Sequence, residues 1–215
     1  MKIRAHSTLL MIGDSITEWG REQPIREDTL ESLGGGYVYF IHCLLAAADP
    51  SLRLQILNLG VGGNTVRDLA ARWENDVLAH KPDWLSVMIG INDVWRYFDP
   101  AVPQADQISV EEYTGMLERL VGGVRPQLRG LVLLSPYYVE PDRTDPMRAR
   151  MDRFGEEVRR LAGKFQASFV DTQAAMDLAL REFSPTELAA DCVHVNDVGH
   201  MILARAFLKA VDFSW

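Results

Sequence analysis

Cysteine is scarce in this chain. Its 215 residues contain two, Cys43 and Cys192, far apart. That spacing excludes a disulfide framework and a zinc signature, and the pair reads as two reduced thiols. Basic runs are missing as well. Lys and Arg number 22 against 30 Asp and Glu, a formal net charge of -8, and no Lys/Arg cluster marks a nucleic-acid partner. The acidic balance would not repel a neutral substrate. No apolar run approaches the length of a membrane span. Leu9 to Ile12 is too short for a secretory h-region, and Asp14 follows it closely. The expectation is a cytoplasmic protein without a membrane partner. A P-loop and a zincin motif are both absent, so no metal or cofactor is expected. The G-x-S-x-G elbow of α/β-hydrolases is absent because Thr17 replaces its last glycine.

What the chain does have is ordinary globular composition, with 47% hydrophobic and 24% charged residues, and a length that suits one domain over residues 1–215. Short apolar runs alternate with helical patterns. Leu9 to Ile12, Leu54 to Leu59 (with polar breaks at Gln55 and Asn58), Trp84 to Ile89, Leu131 to Leu134 and Ser168 to Val170 read as strands buried on both faces, as in a parallel sheet. Thr65 and Asp68 predict a capping box and a helix to about Ala79. Ser109 and Glu112 predict a second. Asp145-Pro146 starts another helix, and Val198 to Val211 forms an apolar-faced last one. The alternation predicts a three-layer α/β/α sandwich of about five parallel strands. Two long irregular stretches, Arg21 to Gly36 and Phe98 to Gln107, are of a length often tied to function.

In such a sheet, ligands sit beyond the carboxyl ends of the strands. Those ends carry Gly13-Asp14-Ser15, Gly60 to Asn64 and Gly90 to Asp93, and the loop before the last helix carries Asp191 to His194. A serine hydroxyl needs a general base and a group that orients that base. Ser15 sits at a strand-to-helix turn, and Asp191 lies three residues from His194, where a turn can set a carboxylate beside the imidazole. Asp197 and His200 repeat that spacing, but His200 falls on the final helix beside Gly199, where a structural role fits better. His194 is therefore the expected base. His6, His42 and His80 read as structural or solvated. Acyl transfer also needs oxyanion donors. The Ser15 N–H, a glycine of the 60–63 loop and the Asn92 amide are the candidates. Cys192, between the acid and the base, reads as packing rather than a second nucleophile.

These blocks resemble those of the SGNH (GDSL-type) hydrolases. The likeness rests on Gly13-Asp14-Ser15-Ile16, Asn58-Leu59-Gly60-Val61-Gly62-Gly63-Asn64-Thr65, Gly90-Ile91-Asn92-Asp93 and Asp191-Cys192-Val193-His194. They stand in the family's order and span nearly the whole chain. The resemblance implies a flavodoxin-like fold with Ser15 as nucleophile and first oxyanion donor. It also implies Gly63 and Asn92 as the other donors, and Asp191 and His194 as acid and base. The stretches NTVRDLAARWENDV, KPDWLSVMIGINDVWR, VDTQAA and GHMILARAFL are similar to bacterial SGNH acetylxylan esterases. That likeness implies an acetylated saccharide substrate and a homo-oligomer. Two departures stand out. Gly62 replaces a frequent serine, which implies a looser loop. Val195 follows His194 where many relatives have proline, which implies a less rigid one.

Asp14 and Trp95 are the candidate substrate contacts. Trp95 follows Asn92 by three residues; for it, and more so for Tyr37 and Trp19, core packing competes with sugar binding. At the chain end, Phe213 and Trp215 are candidate interface aromatics, against the reading of a frayed terminus. Three rivals remain. Gly60 to Thr65 begins like G-x-G-x-x-G but has Thr65 where the last glycine belongs, which weakens a dinucleotide-dependent oxidoreductase. A carbohydrate-binding module would need no triad. A lysophospholipase or thioesterase would share the triad and differ in acyl length.

Overall fold

The computed structural model describes residues 1–22 and 29–214. Residues 23–28 of the first irregular stretch and Trp215 lie outside them. Five strands form one parallel sheet: β1 (Thr8–Gly13), β2 (Gln55–Gly60), β3 (Trp84–Met88), β4 (Gly130–Leu134) and β5 (Ser168–Val170), in the order β2-β1-β3-β4-β5. β1, β3 and β4 are buried along most of both faces, which explains their continuous apolar runs. The polar break at Asn58 has a specific use. Its buried amide donates to the carbonyls of Thr17 (2.7 Å) and Leu33 (2.9 Å), and its Oδ1 accepts the Gly60 N–H.

The helices are α1 (Ser15–Glu18), α2 (Tyr37–Ala48), α3 (Val66–Trp73), α4 (Ile91–Phe98), α5 (Val110–Val124), α6 (Pro146–Phe165), α7 (Thr172–Ala179), α8 (Pro185–Leu188) and α9 (Asp197–Ala210). α2, α7 and α9 pack together as one group, and α3, α4, α5 and α6 as another. Thr65 and Asp68 form the reciprocal capping box, and α3 runs on through a wider π turn at Glu74–Leu78. At Ser109 only half of the predicted box forms. Its hydroxyl accepts the Glu112 N–H, but the Glu112 carboxylate turns away to take both Nε (2.6 Å) and Nη2 (2.9 Å) of Arg67. A forked guanidinium is the stronger partner for a carboxylate. Asp145 caps α6 through the N–H groups of Met147 and Arg148, with Pro146 in the first turn. Among the described residues, no helix is long and apolar enough to cross a membrane.

The topology places the site. The chain winds from β1 out to β2, then crosses back to β3 on the other side of β1. A crevice therefore opens at the carboxyl end of β1. Register levels its walls: Gly13 pairs with Gly60 on one side and with Met88 on the other. The turns that follow these residues thus begin at the same height.

Candidate active site

Ser15 is the first residue of α1, the position where a backbone N–H has no partner inside the helix. Asp14 is the N-cap, and its carboxylate accepts the Ile16 N–H at 3.1 Å. The Ser15 Oγ lies 2.9 Å from Nε2 of His194, and His194 Nδ1 lies 2.6 Å from Oδ2 of Asp191. The structure thus joins the three predicted residues in one hydrogen-bonded chain. The Asp191 carboxylate is fixed by more than the ring, because its Oδ1 accepts the N–H groups of Val193 (3.0 Å) and His194 (2.8 Å). Partial burial pushes this carboxyl up, but the bonds from the His194 side chain and from these two amides outweigh burial and hold it below its ordinary value. It stays an acceptor, and an acceptor on Nδ1 sets the tautomer that presents a bare Nε2 to the serine.

The loop that carries acid and base is bolted down. Cys192 turns the chain with φ 61°. Its carbonyl accepts the Val139 N–H at 2.8 Å, Tyr137 donates its hydroxyl to the Val193 carbonyl at 3.0 Å, and the Asn196 N–H donates to Leu188 at 2.8 Å. Val195 is fully buried against Gly199. The looser loop expected from the missing proline is not what the structure has, since burial and these bonds do the fixing. Burial pushes the Cys192 thiol up, away from a thiolate.

Facing the serine is the Gly60 to Asn64 turn. Gly63 takes φ +75°, a conformation suited to glycine. Its carbonyl accepts Nη2 of Arg96 at 2.6 Å. The Gly62 N–H donates to Oε2 of Glu18 at 2.6 Å. The turn is therefore tethered at both glycines, which corrects the expectation that glycine at 62 loosens it. A side chain there would bring a Cβ within 2.9 Å of that Glu18 oxygen. Asn92, in the first turn of α4, donates its amide to the Asn64 carbonyl at 2.9 Å. An amide NH2 has two hydrogens, so this bond orients the second one. Gly63, Asn92 and the Ser15 N–H all belong to turns on this one edge, as the sequence placed them.

The other predicted contacts differ in exposure. Asp14 is 1% exposed, so its capping role and burial remove it from substrate contact; burial, aided by nearby Asp93, pushes its carboxyl up to about 7. Trp95 is on the surface of α4, 38% exposed. Tyr37 is wholly buried, its hydroxyl 3.0 Å from Thr17 Oγ1. Trp19 is not mere core: its ring stacks on His194 (6.0 Å between centroids, 22° between planes) and leans on His200 at 4.7 Å. His200 is the structural histidine, fully buried, accepting the Tyr37 N–H on Nδ1 at 3.2 Å. Phe213 lines an apolar concavity of about 880 Å³ between β5, α7 and α9, together with Phe169, Leu178 and Ile202. None of the triad or oxyanion residues borders it. Sequence reasoning missed Glu18, Arg72 and Arg96 as supports of the site, and weighed Trp19 only as packing or a sugar contact. Arg72 to Gly13, Arg96 to Gly63, Glu18 to Gly62 and Trp19 to His194 each join residues tens of positions apart, and only motif spacing is visible in one sequence.

Known proteins share this arrangement. Residues 11–202 match the model of the GDSL-like Lipase/Acylhydrolase family. The chain is 47% identical over 215 residues to an acetylxylan esterase of Geobacillus stearothermophilus, covering 100% of this chain and 98% of the relative. Its crystal structure superposes with a TM-score of 0.97. An alpha/beta hydrolase enzyme from the metagenome of Lake Arreo, Spain, is 46% identical over 98% of this chain and 97% of its own, with a TM-score of 0.96. By its sequence and its fold, the chain belongs to the GDSL-like lipase/acylhydrolase family.

Proposed function

We propose that this protein is a serine esterase that removes acetyl groups from acetylated xylo-oligosaccharides. The observation that carries the reading is the unbroken chain Ser15 Oγ–His194–Asp191, at 2.9 and 2.6 Å, beside the turn that carries Gly63. The full-length likeness to an acetylxylan esterase supports the substrate. Structures of that esterase include catalytic variants in which a serine, an aspartate and a histidine are each replaced by alanine.

In this reading His194 Nε2 takes the proton from Ser15 as Oγ attacks the acetyl carbonyl. The negative charge that builds on the carbonyl oxygen meets the N–H groups of Ser15 and Gly63 and the second hydrogen of the Asn92 amide. Such preorganised donors act most strongly where charge develops in the transition state. His194 then protonates the departing sugar oxygen, leaving acetyl-Ser15. Water attacks next, His194 takes its proton, and acetate leaves as Ser15 is reprotonated. Trp95, one helical turn after Asn92, is the sugar-side contact in this scheme. The protein also acts as a homo-oligomer in this reading. Support comes from the apolar concavity on β5, α7 and α9, whose Leu178 is 62% exposed.

Acetate release from acetylated xylo-oligosaccharides by wild type, Ser15→Ala and His194→Ala tests the reading. Release abolished by both substitutions is the expected result. Ser15-dependent cleavage of 4-nitrophenyl acetate without release from the oligosaccharide would keep the chemistry and discard the substrate. No turnover of either ester would discard both.

A further inference from the structure

We infer that Arg72 is a positioning residue that sets the distance between the two backbone oxyanion donors. The inference rests on the serine-esterase reading. Arg72 lies in the last turn of α3, outside the four SGNH blocks though within the stretch NTVRDLAARWENDV, with its side chain only 16% exposed. Its guanidinium makes four bonds. Nη2 donates to the Gly13 carbonyl (2.8 Å), Nη1 to the Leu59 carbonyl (2.7 Å) and to Asp76 Oδ2 (2.7 Å), and Nε to Asn64 Oδ1 (2.7 Å).

The acceptors are telling. Gly13 is two residues before Ser15, and Asn64 is the residue after Gly63. One planar, rigid fork therefore spans the gap whose two sides carry the Ser15 and Gly63 N–H groups. Asn64 extends the bracket to the third donor, because its own carbonyl holds the Asn92 amide. Asp76, four residues on along the chain, anchors the head. Two single bonds cross the same gap, from the Gly62 N–H to Glu18 at the end of α1 and from the Val61 N–H to the Gly13 carbonyl (3.1 Å). The more exposed Arg96 holds the Gly63 carbonyl. Arg72 alone among these side chains grips the strand end before Ser15 and the residue after Gly63 with one group. Lysine could not replace this fork, since an ammonium is a point donor without the planar spread.

Oxyanion donors act at 2.7–3.1 Å from the developing charge. A gap that widens weakens the transition state more than the bound ester, so the loss falls on kcat rather than KM. The variants are Arg72→Met, Arg72→Lys and Asn64→Ala, each alone and combined with Asn92→Ala. They are assayed on 4-nitrophenyl acetate well below their melting temperatures. Misplacement of a reacting geometry by an ångström costs up to about a hundredfold. Arg72→Met and Arg72→Lys should thus lower kcat by about ten- to a hundredfold with KM within about twofold. Asn64→Ala, which cuts one arm of the bracket, should lower kcat about fivefold. Added to Asn92→Ala, each should cost well under the product of the single effects, because they spoil the same oxyanion hole.

Wild-type kcat in Arg72→Met, full rescue by lysine, or losses that multiply with Asn92→Ala would overturn the proposal. If Arg72→Met does not fold, Asn64→Ala and its double variant decide by the same criteria. Ser15→Ala run alongside separates the two claims. Activity that survives it sinks the esterase reading, whereas inactivity with an unaffected Arg72→Met sinks only the role of Arg72.

Discussion

Replacing His200 by asparagine should remove a specific part of the acid sensitivity of the fold. Burial, with a smaller contribution from His194, lowers the His200 imidazole from 6.5 to about 4. In the unfolded chain the ring takes a proton below about pH 6.5; in the folded chain it resists until about pH 4. Between those values the unfolded state binds more protons, so stability falls as the pH falls. At 1.36 kcal/mol per pH unit, the full interval is worth about 3 kcal/mol. Asparagine Oδ1 can still accept the Tyr37 N–H that Nδ1 accepts now, but it does not titrate. It fills less space beside Trp19, which should cost about 2–3 kcal/mol at pH 7.5. Urea unfolding followed by circular dichroism, at steps from pH 7.5 to pH 4, gives the stability difference between the two proteins. That difference should shrink by about 3 kcal/mol across the range. Groups present in both proteins, including Asp14 and Asp93 with their opposite trend, cancel in it. A difference constant to within about 0.5 kcal/mol would refute the assignment of His200 as a neutral core group.

Asn92→Ala should lower turnover of 4-nitrophenyl acetate about a hundredfold in a protein that melts as wild type does, and a near-native rate would remove Asn92 from the oxyanion hole. Trp95→Ala should raise KM on acetylated xylo-oligosaccharides about fivefold, the loss of roughly 1 kcal/mol of stacking, and leave 4-nitrophenyl acetate unchanged; equal effects on both substrates would contradict a sugar contact. Asp93, 1% exposed and accepting the Val66 N–H, is pushed up to about 7 by burial. Its folded form holds a proton that the unfolded chain gives up near pH 4, so stability falls as the pH rises from there to about 7. Asp93→Asn should flatten that decline in thermal melts from pH 5 to 8, and an unaltered slope would show that Asp93 is ionised throughout.

The strands were legible because burial on both faces leaves a signature that needs no partner to read: five apolar runs became five strands, within a residue or two at each end. α3 and α6 were legible through Thr65 and Asp145, whose side chains do what their types suggest at an N-cap. α2 was not marked that way. Gly36 stands at its N-cap with no side-chain bond, and Tyr37 to Ala48 is apolar on most sides, so neither cap nor stripe announces it. α1 has four residues, too few for any periodicity. The site was legible because each block follows a strand end, and register brings strand ends together. Asp14 shows the limit of that argument. Its place beside Ser15 suggested contact with substrate, but a residue that caps a helix points its side chain at amides of its own turn, and here that turn is buried.

The repeated Asp-x-x-His spacing shows what spacing leaves undecided. Between Asp191 and His194 the chain passes through Cys192 at φ 61°, a left-handed residue that folds it back so that carboxylate and imidazole meet at 2.6 Å. Between Asp197 and His200 the chain is helical from its first residue, capped by Asn196 through the N–H groups of Val198 and Gly199. A helix projects its side chains outward from the axis, and the face that carries His200 is turned into the core toward Tyr37. One ring nitrogen is thereby committed to a backbone amide and the ring is fully buried. Trp19 lies between the two rings, stacked on one and leaning on the other. The same pair of residue types thus gives a solvent-facing base in a turn and a neutral wedge in a helix. What separates them is the backbone conformation of the two residues in between.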